Sequence, residues 1–462
     1  MDRKTNKSRQ YSPQSRSIIV SAVLSLAAVL VLLVQPATAQ DNIFTGTNTG
    51  ASSIRIAVAD FKPLSGASET PAFKQTFDTT LYADLAAAGI FDIVSKSLMP
   101  PGTPGAPSEV QLPSYSNAPA SAAFVAFGSL GVVSGKLVAN GFLFDAKNLQ
   151  YPQVLAKQYS EEPTDDSARQ IAHRFADEII LRLGGGTAGI AETKIYYVKL
   201  VSGNKEIWAM DYDGANQHQI THLGTISISP RVSPDNSRLA FASLGRNGFQ
   251  IRVYSLLLGR MINFPEVGGT NISPAWAPDG REIAYSSSRS GDPEIWISDA
   301  SGNLARRVTS FRGPDVSPAY NPRSGAQIAW ISGRTGLPQL YTMNTDGSGV
   351  QPLTDGGYAT SPSWSPNGQI VAFAWDRKYG PGAPGGQDIY LMEVATKKWI
   401  QLTHDGGRCD FPSWSPDGRH IVYANSSDGR ADHMRIWTML ADGTQRRPLT
   451  GPGADMPNWS WK

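Results

Sequence analysis

The chain has 462 residues, is 40% hydrophobic, and carries 41 basic against 39 acidic side chains for a formal charge of +2. That length supports two domains with sizeable cores, and the near balance of charge gives no sign of a nucleic-acid partner. Its single cysteine, Cys409, cannot form an internal disulfide, so hydrophobic packing must hold the fold.

In chain order, Arg3, Lys4, Lys7, Arg9 and Arg16 precede an apolar run from Ile18 to Val34, and Ala37-Thr38-Ala39 has the small-residue pattern of a cleavage site. Residues 1–39 are expected to be a secretory signal peptide cut between Ala39 and Gln40, leaving no membrane insertion afterwards. The competing reading is a retained anchor, because the apolar run is close to the shortest that spans a bilayer. Residues 40–53 are rich in Thr, Asn and Gly and lack apolar periodicity, which predicts a flexible arm.

From Ile54 the pattern becomes that of a small α/β domain, residues 54–183. Ile54-Arg-Ile56-Ala-Val58 reads as a buried strand. A helix begins at Thr70-Pro71, carries Phe73, Phe77, Leu81 and Leu85 on one stripe, and stops at Gly89. Phe91 to Val94 reads as a strand. After a Pro-Gly loop (100–107), Pro119 to Phe127 reads as a second helix and Gly131 to Val138 as a strand. Phe142-Leu-Phe144 is expected to pair back through a turn at Asn140-Gly141, with Val154 to Tyr159 following. Thr164, Asp165 and Asp166 cap a last helix striped by Ile171, Phe175, Ile179 and Leu183. Gly184-Gly185-Gly186 opens a linker, residues 184–189, expected to let the two parts of the chain move separately.

Residues 190–462 repeat. Ser273-Pro-Ala-Trp276-Ala-Pro-Asp279-Gly280, then Ile283-Ala-Tyr285 and Ile295-Trp296, recur in register with Pro230, Pro274, Pro318, Pro362, Pro412 and Pro457. Most of those prolines stand 44 residues apart, which marks an array of one supersecondary unit. The runs alternate as strands do, and Asp-Gly or Asn-Gly pairs supply tight turns. Four strands per unit and six runs of the third kind (Ile207, Ile251, Ile295, Leu340, Ile389, Ile436) predict a six-bladed β-propeller. The first blade, starting at Ile195, lacks the P-x-W strand, so Pro457-Asn-Trp459 is expected to supply it and close the ring. The fold class is thus mainly β, with a small α/β domain in front.

No catalytic constellation stands out. There is no G-x-S-x-G elbow and no H-E-x-x-H, and His218 and His222 sit four apart on a predicted strand and turn, where that spacing builds no zinc site. Asp211-Tyr-Asp213-Gly214 lacks the glutamate that would close a calcium loop. Cys409 has no partner at a suggestive spacing except His404. The repeated Trp276, Trp364 and Trp414 read as inter-blade packing rather than a sugar platform. The sequence implies no cofactor and no metal.

Taken with their order, several stretches resemble the TolB family of the Tol-Pal cell-envelope system. They are the two S-P-x-W-x-P-[DN]-G motifs at Trp276 and Trp364, Ile54 to Phe61, Ala83-Asp84-Leu85 with Gly89-Ile-Phe91, Val133-Ser-Gly135-Lys, Lys194 to Val198, and Met210 to Gly214. The resemblance implies a monomeric, non-enzymatic periplasmic protein that binds the lipoprotein Pal through the propeller and engages TolA through the N-terminal arm. It also implies support of outer-membrane integrity and envelope invagination in cell division. The arm departs from the family in lacking a short charged-apolar segment. An exported propeller hydrolase or lactonase with a metal in its channel, and a glycan-binding propeller, are the alternative classes.

Both Asp-Gly hairpins of a blade open on one face, so the longer connections gather on the other, where recognition is expected. By counting back from Pro274 and Pro318, the resemblance places Pal-contacting positions at Thr270, Ser273 and Val316, with Thr270 standing where the family has histidine. Ser317 lies beside them, and Asp315, Asp410 and Asp455 are expected at the same mouth, either meeting cationic groups or forming a solvated rim. Ser273 and Val316 are expected to be exposed loop residues.

Overall fold

A computed structural model describes residues 53–64, 69–380 and 386–461. The expected signal peptide, its Ala39–Gln40 cut and nearly all of the arm lie outside the described residues.

The N-terminal part is a mixed sheet of β1 (Ile54–Val58), β2 (Lys62–Pro63), β3 (Phe91–Ile93), β4 (Phe124–Val133), β5 (Lys136–Asp145) and β6 (Gln153–Glu161), ordered β3-β1-β4-β5-β6 with β2 also on β4. β1 runs parallel to β3 and β4, and the rest of the ordered path is antiparallel. Three helices join it: α1 (Thr70–Ala87), the short α2 (Leu112–Ser116) and α3 (Asp165–Leu183). The stripes read from the sequence do the packing. Phe73, Phe77, Leu81 and Leu85 of α1 share one buried cluster with Ile171, Phe175 and Ile179 of α3. The Thr164 side chain accepts from Ser167 N and caps α3, satisfying one of the helix's free amides.

Two expectations fail here. Residues 119–127 are not a helix: Phe124 onward is β4, paired to β1 as Ile56↔Phe124. A short apolar run fits either period, and tertiary pairing overrides the helix preference of its alanines. Nor is Asn140-Gly141 a turn. The hairpin reverses at Ser134-Gly135, where φ is 50° and 74°, and Gly141 sits inside β5 opposite Gly128. Those glycines are needed for close approach. A Cβ on Gly141 would lie 2.7 Å from the Phe175 ring, and one on Gly128 would lie 2.0 Å from Asn140 O and 2.6 Å from the Phe61 ring.

Six four-stranded antiparallel sheets follow. Five are continuous in sequence, with innermost strands Ser227–Val232, Asn271–Trp276, Asp315–Tyr320, Tyr358–Trp364 and Arg408–Trp414 in blades 2 to 6. In blade 1 the innermost strand is the C-terminal Ala454–Trp459, paired antiparallel to Lys194–Val201, so the ring closes as expected. Trp459 Nε1 donates to Thr193 Oγ1 at 2.8 Å, and Val232 N of blade 2 donates to Asn458 Oδ1 at 2.9 Å.

The repeat letters have identifiable work. Trp276 and Trp364 are nearly buried, and each indole donates to a main-chain carbonyl of the preceding blade, Arg231 O and Ala319 O, at 3.0 Å. The recurrent Leu-Thr ending of the outermost run is a clasp. Thr354 Oγ1 accepts from Leu340 N and donates to Gln339 Oε1, and Thr403 does the same to Ile389 N and Asp388 Oδ1. Such bonds satisfy edge groups that an outer strand of two or three residues leaves open.

The helical part meets the turn side of blades 1 and 6. Asp84 of α1 accepts from Tyr212 Oη at 2.6 Å and pairs with His173 Nδ1 of α3 at 2.7 Å, all three buried. His420 Nε2 donates to Ala87 O at the end of α1, at 2.8 Å. Arg169 reaches Asp213 at 2.6 Å and Asp211 at 3.4 Å. Independent movement about the glycine linker would have to break this seam, even though Gly185 and Gly186 have the positive φ expected of a flexible joint.

Candidate functional site

With the turn side of two blades occupied by the seam, the opposite face of the propeller is the candidate site. Its centre is built by a device repeated six times. In every innermost strand the residue before the proline has a left-handed backbone: Ser229, Ser273, Ser317, Ser361, Phe411 and Met456, with φ between 49° and 55°. Each marks a β-bulge where pairing with the second strand shifts register, for example between Ile272 and Ala275 and between Val316 and Ala319. A left-handed non-glycine residue is costly, about 1–3 kcal/mol, and such strain gathers where a side chain must be re-aimed. No β-branched residue occupies any of the six positions, as sterics require.

The residues just ahead of these bulges differ around the ring. Ile228, Ile272 and Val316 of blades 2 to 4 are partly buried and apolar, whereas blades 5, 6 and 1 present Thr360, Asp410 and Asp455. The mouth therefore has an apolar arc and an acidic arc.

The sequence-predicted residues fall as follows. Thr270 is exposed, with its amide on Ser288 Oγ at 2.9 Å. Ser273, Val316 and Ser317, of which the first two were expected in exposed loops, lie on innermost strands and are half-buried, because the bulges draw them into the sheet. Ser317 N donates to Ser286 Oγ of the neighbouring blade at 3.1 Å. Asp315 has no exposed surface, and Arg334 Nη2 holds its carboxylate at 3.2 Å. Asp410 is 2% exposed and accepts from Ser361 Oγ at 2.8 Å, Thr360 Oγ1 at 3.1 Å, its own neighbour Phe411 N at 2.8 Å, and Arg408 at 2.9 Å. Asp455 is also buried, and Met456 N donates to it at 2.8 Å. Burial raises its carboxyl above the usual range, while Lys205 at 3.8 Å opposes that shift. The three carboxylates are thus wired into the mouth rather than spread on a solvated rim.

Sequence reasoning missed an outer ring of arginines. Arg289, Arg334 and Arg377 each follow, by four residues, the aromatic of the second strand (Tyr285, Trp330, Phe373). Arg289 lies 3.6 Å from the Trp296 ring centre, Arg334 4.9 Å from Tyr341, and Arg377 4.1 Å from Trp399. Stacking of this kind fixes the guanidinium plane on the face. The signal was available as a cation recurring at the blade period. Beside them Tyr358 and Tyr379 pair at 5.2 Å over a cleft that Arg408 also lines.

Among the described residues no group of three His, Cys, Asp or Glu is placed to hold a metal ion, and no helix is long and apolar enough to cross a membrane. Cys409 is buried, and burial pushes its thiol up to about 12, away from nucleophilic use.

Comparison with known proteins agrees with the architecture. The family model described as TolB beta propeller domain matches residues 182–462. A Protein TolB homolog of Chlorobium luteolum is 32% identical over 292 residues, 63% of this chain and 64% of that one. Another from Chlorobium chlorochromatii is 30% identical over 317 residues, covering 68% and 69%. The Tol-Pal system protein TolB of Desulfosudis oleivorans is 33% identical over 294 residues, covering 63% and 65%. The chain thus spans just under two thirds of the length of the first of these relatives. The crystal structure of TolB from Acinetobacter baumannii shares the fold with a TM-score of 0.74 at 23% identity, over 89% of this chain and 98% of that one. On the extent of the propeller match and the identity to these relatives, the chain belongs to the TolB family.

Proposed function

We propose that this chain is an exported, non-enzymatic component of the Tol-Pal system that binds the lipoprotein Pal through the propeller face opposite the seam. In this reading residues 1–39 direct export to the periplasm and are removed between Ala39 and Gln40. Residues 40–53 are an arm for TolA, 54–183 an α/β domain, 184–189 a linker and 190–462 the propeller. Capture of Pal by a monomer would support outer-membrane integrity and envelope invagination during division.

The observation that carries the reading is the sixfold ring of left-handed residues at the mouth of the free face. Strain repeated in every blade fixes a rigid, part apolar and part acidic rim, and rigid rims hold a partner at low ordering cost. Thr270, Ser273, Val316 and Ser317 lie on the side of its apolar arc, and Asp410 and Asp455 on its acidic side. Asp315 acts through Arg334, which it orients.

Calorimetric titration with the soluble domain of Pal tests this. Val316→Arg should weaken binding by about tenfold or more, since a central interface position loses about 1.4 kcal/mol or more when a charge is buried there. Arg281→Glu, on the turn side, should bind normally. Normal binding by Val316→Arg with loss in Arg281→Glu would put the site on the wrong face.

A further inference from the structure

The central channel contains a cation that the partner-binding face does not use. The residue after the proline of each innermost strand lines one cavity of about 110 Å³: Arg231, Ala275, Ala319, Ser363, Ser413 and Asn458. Among the described residues Arg231 is the only charged one in the cavity wall, whose other members are prolines, indoles, Tyr320, Val232, Asn458 and small residues.

Among the described residues its hydrogen bonding is incomplete. Nη1 donates to Pro230 O at 2.8 Å, and a guanidinium has five N–H donors. Among the described residues it makes no ion pair, unlike Arg334, Arg408 and Arg419, each of which has an aspartate. Burial alone pulls its pKa down to about 10, so it still carries its charge at neutral pH. Arg231 is half-buried in the channel wall, and a partly desolvated cation without a counter-charge is unfavourable. Across the ring, in blade 5, the Ser363 hydroxyl has no hydrogen bond among the described residues, whereas Ser413 and Asn458 are engaged with Trp459 N and Val232 N.

We propose that the propeller channel is a binding site for a small carboxylate, held by Arg231. A carboxylate matches the flat fork of a guanidinium with two parallel hydrogen bonds. The volume admits an anion of formate or acetate size. The carboxylate is either free or a single side-chain carboxylate reaching in from a protein partner, and both share this chemistry.

The cavity wall provides its own reporter, because Trp276, Trp364, Trp414, Trp459 and Trp461 line it. Iodide, an anionic quencher, is titrated into the full chain at constant ionic strength while tryptophan emission is followed. The expected result is a saturable component that acetate displaces. Arg231→Gln should lose that component, with apparent acetate affinity falling about tenfold or more. Arg231→Lys should retain part of it, and Arg252→Gln, a half-exposed arginine paired with Glu266, should retain all of it. Displacement by acetate alone indicates a free anion; displacement also by a glutamate-containing tripeptide indicates a presented carboxylate. Linear quenching that is the same in wild type, Arg231→Gln and Arg231→Lys would overturn the proposal, as would crystals soaked in iodide showing no anomalous peak beside Arg231.

Discussion

Replacing Tyr212 with Phe deletes one oxygen from the seam and leaves the ring in place. That oxygen donates to Asp84 Oδ1 at 2.6 Å in a site where Tyr212 is 4% and Asp84 3% exposed. Burial raises the Asp84 carboxyl above its usual range, and the bonds from His173 and Tyr212 oppose that shift. Because both partners are buried, the substitution should cost about 1.5–3 kcal/mol, the range for a hydrogen bond to a charged group. Urea unfolding followed by two signals reads it out. All eleven tryptophans lie from Trp208 onward, so fluorescence reports the propeller, while far-UV ellipticity is weighted towards α1 and α3. In the wild type the two transitions should coincide. In Tyr212→Phe the ellipticity transition should move to lower urea and part from the fluorescence transition, because the seam, not the linker, couples the two. Combining it with Asp84→Asn should cost less than the sum of the two changes, as groups in one network are not additive. A stability change below about 0.3 kcal/mol, with both signals still coincident, would refute the claim that this buried bond couples them.

Gly128→Ala should destabilise the chain by about 3 kcal/mol or more, since its Cβ would meet the main-chain Asn140 O at 2.0 Å and neither strand can yield; thermal unfolding measures it. The Asp417 carboxyl is buried, which alone would raise its pKa, yet His420 and Arg419 hold it well below the usual range. Its folded pKa is depressed, so its contribution is present above the unfolded value of about 4 and lost as pH falls below that. The melting temperature of Asp417→Asn should therefore fall less than that of wild type between pH of about 6 and about 3.

The propeller was legible because its signal is redundant. Pro274, Trp276 and Asp279-Gly280 recur with the blade, and each letter has a local physical task, so period alone gave the number of blades and the closing strand. The α/β part gave a single copy of each signal. There Gly141 looked like half of a turn, because a sequence does not reveal that Phe175, 34 residues later, packs against it. The run at 119–127 was ambiguous for a similar reason, the strand state of its part from Phe124 being imposed by β1. At the mouth, position could be counted from the prolines, but burial could not. The bulges that draw Ser273 and Val316 into the sheet depend on φ, and the pairing of Asp315 with Arg334 joins side chains 19 residues apart. Arg231 was invisible as a site because its meaning comes from what five other blades place around it.

Hydrogen exchange of the full chain with and without the soluble domain of Pal is the most direct test of the central claim. Protection is expected in the segments entering each bulge, above all 270–273 and 315–317, and in the loops that carry Arg289 and Arg334. The turn segments at Asp279-Gly280 and Asp346-Gly347 should exchange unchanged. Protection confined to those turns, with the six bulges unaffected, would contradict the assignment of the binding face.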